Sequence, residues 1–195
     1  MTGKFALALA LVAVAATALP EAARAQEQDP QMVALGLRVW KEKIACNQCH
    51  GWAGNGVPDD SRMPVGANLR QTKLSPEQIA TVVKCGLLDT EMPHFDPRAY
   101  EDDRCYGKTA EQVKAAGSDK PPFGGTGLIP REIQGVVAYL QAKVVGRGPF
   151  TRDDCEDFFG KGAQVCNTFS YGAGPQPPPP AGAVNLPGPQ GPQVH

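Results

Sequence analysis

Cys46, Cys49 and His50 stand in the string Cys46-Asn47-Gln48-Cys49-His50, a C-x-x-C-H pattern. Two thiols three positions apart can add to the two vinyl groups of one haem, and the adjacent imidazole then falls where it can bind the iron. A C-x-x-C pair also serves thioredoxin-like redox sites and half of a zinc site. A thioredoxin-like site needs a βαβ setting, whereas the segment before Cys46 reads as a helix and the segment after it as a Gly/Pro-rich loop. A zinc ribbon needs a second close pair, and Cys85, Cys105, Cys155 and Cys166 are too widely spaced to supply one. Covalent attachment of a single haem is the chemistry this spacing supports, and no second C-x-x-C-H string invites another.

Residues 1–25 have the layout of a secretory signal: Lys4, an apolar run from Phe5 to Leu19, and Ala23-Arg24-Ala25 as a cleavage site. The run is shorter than the roughly 20 residues of a spanning helix. The expectation is a periplasmic protein with no membrane anchor after cleavage, in a compartment that permits both haem attachment and stable disulfides. A formal net charge of -1 offers no basic surface of the sort nucleic acid requires. The expected organisation is a signal peptide 1–25, one domain over 26–171 with its core in 31–145, and a Pro/Gly-rich tail 172–195 too poor in apolar residues to fold.

Positioning the motif falls to helices. Met32, Leu35, Val39 and Trp40 recur at helical spacing and predict a helix delivering the chain to Cys46. Residues 51–73 read as a loop with too few apolar side chains to pack alone, so a bound haem is expected to supply the missing surface. Ser75, Pro76 and Gln78 carry a capping-box start, with Ile79, Val82 and Val83 as the inner face and Gly86 as the stop. A short helix is expected over 109–116 inside an unusually long connection, 96–129. Pro130 opens the next helix, whose Ile133, Val136, Val137 and Leu140 form one stripe behind the poor cap Ile129. A last short helix starts from Thr151 and ends at Gly160.

Taken together, these pieces resemble a class I c-type cytochrome over roughly residues 31–145. The likeness is carried by Gly36 and Trp40, the motif with Gly51, the stretch Gly66-Ala67-Asn68-Leu69, the pair Met92-Pro93, and the helix ending Val136-Val137-Ala138-Tyr139-Leu140. The resemblance implies an all-α fold of helices wrapped around one covalent haem c, with the first and last helices crossing at a glycine and aromatic contact. It implies Cys46 and Cys49 as thioether anchors, His50 as proximal iron ligand and Met92 as distal ligand. Met63, also before a proline, competes for the distal position. His94 is expected at the surface near the haem edge, with distal ligation as its alternative. Relatives often have proline where Ala67 stands, and a carbonyl from 65 to 67 is expected to accept the proximal histidine's Nδ1 hydrogen. The 96–129 connection exceeds what the family core needs and is expected to enlarge the distal loop.

The remaining four cysteines predict two disulfides. Cys85 with Cys105 would clamp the Met92 loop, and Cys155 with Cys166 would pin the C-terminal extension; the other two pairings stay open. With both axial positions filled, the expected function is electron transfer and not catalysis. Expected partners are periplasmic redox proteins: a donor dehydrogenase, loosely a quinoprotein alcohol dehydrogenase by likeness to extra-cysteine relatives, and an acceptor oxidase or cytochrome. The alternative is a fixed haem subunit of a dehydrogenase or oxidase complex, and a haem enzyme or ligand sensor is the third reading. Glu101, Asp102 and Asp103 could steer a basic partner, or simply form a solvated loop.

Overall fold

The Asp29 carboxylate accepts the Gln31 amide at 2.9 Å, and Pro30 fills the first turn, where a missing N–H costs nothing. In the computed structural model, which describes residues 28–171, these two residues start α1 (Pro30–Arg38). The helix widens without a break into a π-helical turn, Val39–Lys43, that buries Val39 and Trp40. Ala45, at φ 56°, then reverses the chain into the short α2 (Asn47–His50). A left-handed alanine costs about 1–2 kcal/mol, which the packing on either side must offset. The leader and tail expected from sequence lie outside the described residues.

The next helices begin where their caps dictate. Ser75 and Gln78 close a reciprocal box at α3 (Pro76–Cys85), and Thr109 with Gln112 does the same at α4 (Ala110–Ala115). Ile129 has no capping side chain, so its amide donates to the Glu132 carboxylate at 3.0 Å as α5 (Pro130–Lys143) starts. The same carboxylate holds the Lys43 ammonium at 2.6 Å, tying α5 to the turn before the motif. Thr151 and Asp154 box the start of α6 (Arg152–Phe159), which Gly160 ends. Two 3-10 turns, Leu69–Gln71 and Gln164–Asn167, complete the described elements. No strand forms among the described residues, where only the isolated bridges His94–Phe123 and Cys105–Lys108 occur.

The core forms where α1 crosses α5. A side chain at Gly36 would strike the Gly135 carbonyl and the Tyr139 Cβ, so the two backbones meet without side chains between them. Trp40 packs on Tyr139 beside that contact, ring centroids 5.9 Å apart. The long 96–129 connection carries its own small core of Ala99, Tyr100 and Val113 around the Cys85–Cys105 disulfide.

The C-terminal extension also packs inward. Trp52, two residues after His50, meets the rings of Phe150, Phe158, Phe159 and Phe169 at 5.0 to 6.1 Å. Arg70, only 3 % exposed, donates to the carbonyls of Ala53, Gly148 and Pro149 and pairs with Asp154 at 3.1 Å. The 51–73 loop therefore draws part of its apolar and polar closure from the extension, a source the loop's composition does not announce.

Two substitutions test this architecture in the haem-loaded protein. Gly36→Ala should destabilise by about 1–3 kcal/mol through overpacking, read by denaturant unfolding. Gly135→Ala, whose methyl would meet the flexible Leu35 Cγ at 3.1 Å, should cost less. Arg70→Met leaves the Asp154 carboxylate without its cation and should cost about 3–5 kcal/mol. Limited proteolysis of that variant should then cut first between residues 147 and 171.

Candidate haem site

The attachment motif is stapled to the loop that follows it by three hydrogen bonds. The Gly56 amide donates to the His50 carbonyl at 2.8 Å, and the Gly66 amide to the Cys49 carbonyl at 2.9 Å. His50 Nδ1 lies 2.9 Å from the Ala67 carbonyl, which can only accept, so Nδ1 carries the proton and Nε2 the lone pair. Gly66 makes this approach possible: a Cβ there would sit 2.7 Å from His50 Nδ1 and 2.9 Å from the Cys49 oxygen. Gly56 and Gly66 touch at the neck of the loop, where a Cβ on Gly56 would lie 2.9 Å from the Gly66 carbonyl. Val57 and Val65, the next residues out from that neck, are 42 % and 60 % exposed.

The donor set fits a covalently attached haem. Cys46 and Cys49 are the free thiols of this chain, the other four cysteines being paired as Cys85–Cys105 and Cys155–Cys166. Burial, reinforced by Cys49, pushes the Cys46 thiol up to about 12 against an opposing backbone hydrogen bond, and burial also raises Cys49. Both are therefore held as thiols. Burial lowers His50 despite its Ala67 bond, favouring the neutral imidazole that binds metal. Two buried polar atoms around the motif, Trp40 Nε1 and Asn47 Oδ1, have no protein partner. Trp40 also faces the His50 ring at 5.9 Å.

Met92 is half-buried and packs on the same core cluster as Cys46. Its loop is held from both sides. The Leu87 amide donates to the Met92 carbonyl at 3.2 Å, and the Met92 amide to Thr90 Oγ1 at 3.2 Å. The 96–129 insertion supplies the rest: the His94 amide donates to Pro122, Gly124 donates to the His94 carbonyl, and Asp89 exchanges bonds with Asp119. Tyr100 and Tyr106, both at positive φ, donate their hydroxyls to the carbonyls of Cys85 and Gly86. Met63 sits instead in the exposed 57–65 loop, where Asp60 and Arg62 pair with each other.

One expectation is corrected. His94 is not a surface residue: it is 3 % exposed, with its ring between Tyr100 at 6.0 Å and Phe123 at 5.4 Å. The insertion folds over it, which the Met-Pro-His-Phe string cannot reveal. Burial lowers its pKa, opposed by the Asp96 carbonyl bond. The acidic run is also less free than its sequence suggests, since hydrogen bonds from Arg104 hold Asp102 well below the usual carboxylate range. Trp52, Arg70 and Phe123 escaped sequence reasoning; a tryptophan directly after Gly51 was the one available signal. An open cleft of about 890 Å³ beside α1 and α5, lined by Val33, Leu37 and Tyr139, touches none of the site residues.

A sequence profile of the family described as cytochrome C oxidase, cbb3-type, subunit III, matches residues 31–113. The match spans α1, the motif, the Met92 loop and the start of α4, and it supports a class I c-type cytochrome. No curated protein and no solved structure matches the chain. Among the described residues no helix is long and apolar enough to cross a membrane.

The disulfides separate distal from peripheral structure. Replacing Cys85 and Cys105 by alanine should cost about 2–4 kcal/mol and, with Met92 as the iron ligand that the resemblance implies, weaken the far-red methionine-to-ferric-iron band, read on the haem-loaded protein. Replacing Cys155 and Cys166 should cost stability on the same scale while leaving that band in place.

Proposed function

Taking the chain as a class I c-type cytochrome, we propose that it is a periplasmic monohaem electron carrier. The observation that supports this most directly is the pairing of two free thiols with a histidine whose Nδ1 is tied to the Ala67 carbonyl. Cys46 and Cys49 would hold the haem covalently, and His50 Nε2 and the Met92 sulfur would ligate its iron. Haem, when bound, supplies an iron that cycles between ferric and ferrous. The Ala67 carbonyl fixes the tautomer and orientation of His50. The soft, neutral Met92 thioether would favour the ferrous state, and the bonds around its loop place that side chain for the role.

Exchange of electrons needs a place for a partner. Val57 and Val65 supply exposed apolar surface within a residue or two of the bonds that staple the motif, and the Arg62–Asp60 ion pair in their loop is internal to it. The donor fitting this reading is a periplasmic dehydrogenase, possible donors including a quinoprotein alcohol dehydrogenase, and the acceptor is an oxidase or another cytochrome. A fixed haem subunit is the second reading, favoured by the matched family's description as an oxidase subunit. Against it, the insertion and the extension, which an interface would use, both pack on this chain.

The exported protein should weigh one haem more than its polypeptide and retain that haem through acid-acetone extraction; extractable haem ends this reading. Added to a periplasmic extract, it should be reduced when a dehydrogenase substrate is supplied and show no substrate turnover alone. Docking on the apolar surface predicts a rate nearly independent of salt, whereas steering by the acidic run predicts a steep fall above about 0.1 M, where the screening length is about 10 Å. Stable copurification with an oxidase or dehydrogenase would favour the subunit.

A further inference from the structure

The distal loop holds a second group wired as iron ligands are. His94 Nδ1 lies 2.9 Å from the Asp96 carbonyl, so it donates its hydrogen there and leaves the lone pair on Nε2. His50 has the same arrangement, Nδ1 to the Ala67 carbonyl at 2.9 Å. A histidine that ligates metal almost always donates its other ring N–H to a carbonyl or carboxylate in this way. His94 Nε2 is buried and has no partner in the protein. Leaving such a group unpaired is costly, and a buried, oriented, unpaired nitrogen two residues from Met92 calls for a use.

The backbone at His94 is fixed by its bonds to Pro122 and Gly124, at 2.9 and 3.0 Å, and Phe95 is anchored to the Lys84 carbonyl at 3.1 Å. The ring is less constrained. One of its two flanking rings, Phe123, is 45 % exposed, so that wall can move without opening the core. To reach iron the imidazole must leave its place between Tyr100 and Phe123, which separates it from the resting ligand.

We propose that His94 is a reserve axial ligand, taking the distal position through Nε2 when the Met92 sulfur leaves the iron. The proposal rests on Met92 as the resting ligand. In the exchange the iron–sulfur bond breaks and an iron–nitrogen bond forms; Nε2 already carries its lone pair, so no proton or electron is transferred. Imidazole favours the ferric state relative to thioether, so the exchange lowers the potential. It also keeps the iron six-coordinate, closing it to carbon monoxide and peroxide.

The test compares haem-loaded wild type, His94→Ala, Met92→Ala and Met92→Ala/His94→Ala by electron paramagnetic resonance, visible spectra and the rate of carbon monoxide binding to reduced protein. His94→Ala should keep the methionine band. Met92→Ala should be low-spin with two nitrogen ligands, and should bind carbon monoxide about tenfold or more slowly than the double variant, as six-coordinate iron does beside five-coordinate. If the double variant does not fold, Met92→Ala/His94→Asn, which keeps a polar side chain in the cage, takes its place. High-spin Met92→Ala, or equal carbon monoxide rates in the single and double variants, overturns the proposal. Loss of the methionine band in His94→Ala overturns it as well, by making His94 necessary to the resting state. A wild type without that band overturns the Met92 assignment and the exchange with it, whereas a wild type that shows the band with any of the preceding results overturns the exchange alone.

Discussion

The neck where Gly56 and Gly66 meet is the constraint on which the site depends. The carbonyls of Cys49 and His50 emerge from a helix of one turn, too short to satisfy them internally, and the two glycine amides accept that task. Because both amides come from the ends of one loop, closing the neck fixes the loop and the motif in a single step. The same closure brings the Ala67 carbonyl to His50 Nδ1. A side chain at Gly66 would push directly on that imidazole, so orientation of the His50 ring and shape of the neighbouring surface are one property.

Around this centre the chain carries two additions that act on opposite parts of the site. The 96–129 insertion binds the Met92 loop through backbone bonds at residues 89, 94 and 95, and the Cys85–Cys105 bridge holds its base. The C-terminal extension covers Trp52 and receives Arg70, bracing the loop that leaves the motif. Each addition is small, and each is closed by a disulfide, as expected of segments that bury too little apolar surface to order themselves. The extension also reaches the ends of the crossing pair, where Lys41 donates to the Phe158 carbonyl at 2.8 Å and Lys143 pairs with Asp157 at 2.7 Å, while the crossing itself is set by its glycine contact.

Electrostatics plays a local role here. Among the described residues Arg70 is the one charge drawn deep inside, and it is compensated by three carbonyls and Asp154. Its use of carbonyls from 148 and 149 makes it a clasp between loop and extension. The surface pairs Arg62–Asp60 and Arg104–Asp102 join residues two apart and contribute little to stability. Their effect is to quiet the charge that a partner would meet.

The sequence by itself determined whatever is local. The C-x-x-C-H spacing, the boxes at Ser75, Thr109 and Thr151, Pro30 and Pro130 at helix starts, and the stripe on α5 all act within a few residues, so they are visible along the chain. The close contact at Gly36 could be read only through likeness to a family, because a glycine's close approach is defined by what it meets. Tertiary structure alone decided that Ala67, among three neighbouring carbonyls, receives His50, that Trp52 lies under the extension, and that His94 is enclosed. Each of these depends on atoms distant in sequence meeting within about 3 to 6 Å. His94 shows the reason most plainly: its neighbours 92–96 read as a surface loop, and the residues that bury it, Tyr100 and Phe123, arrive from an insertion whose path no local pattern specifies.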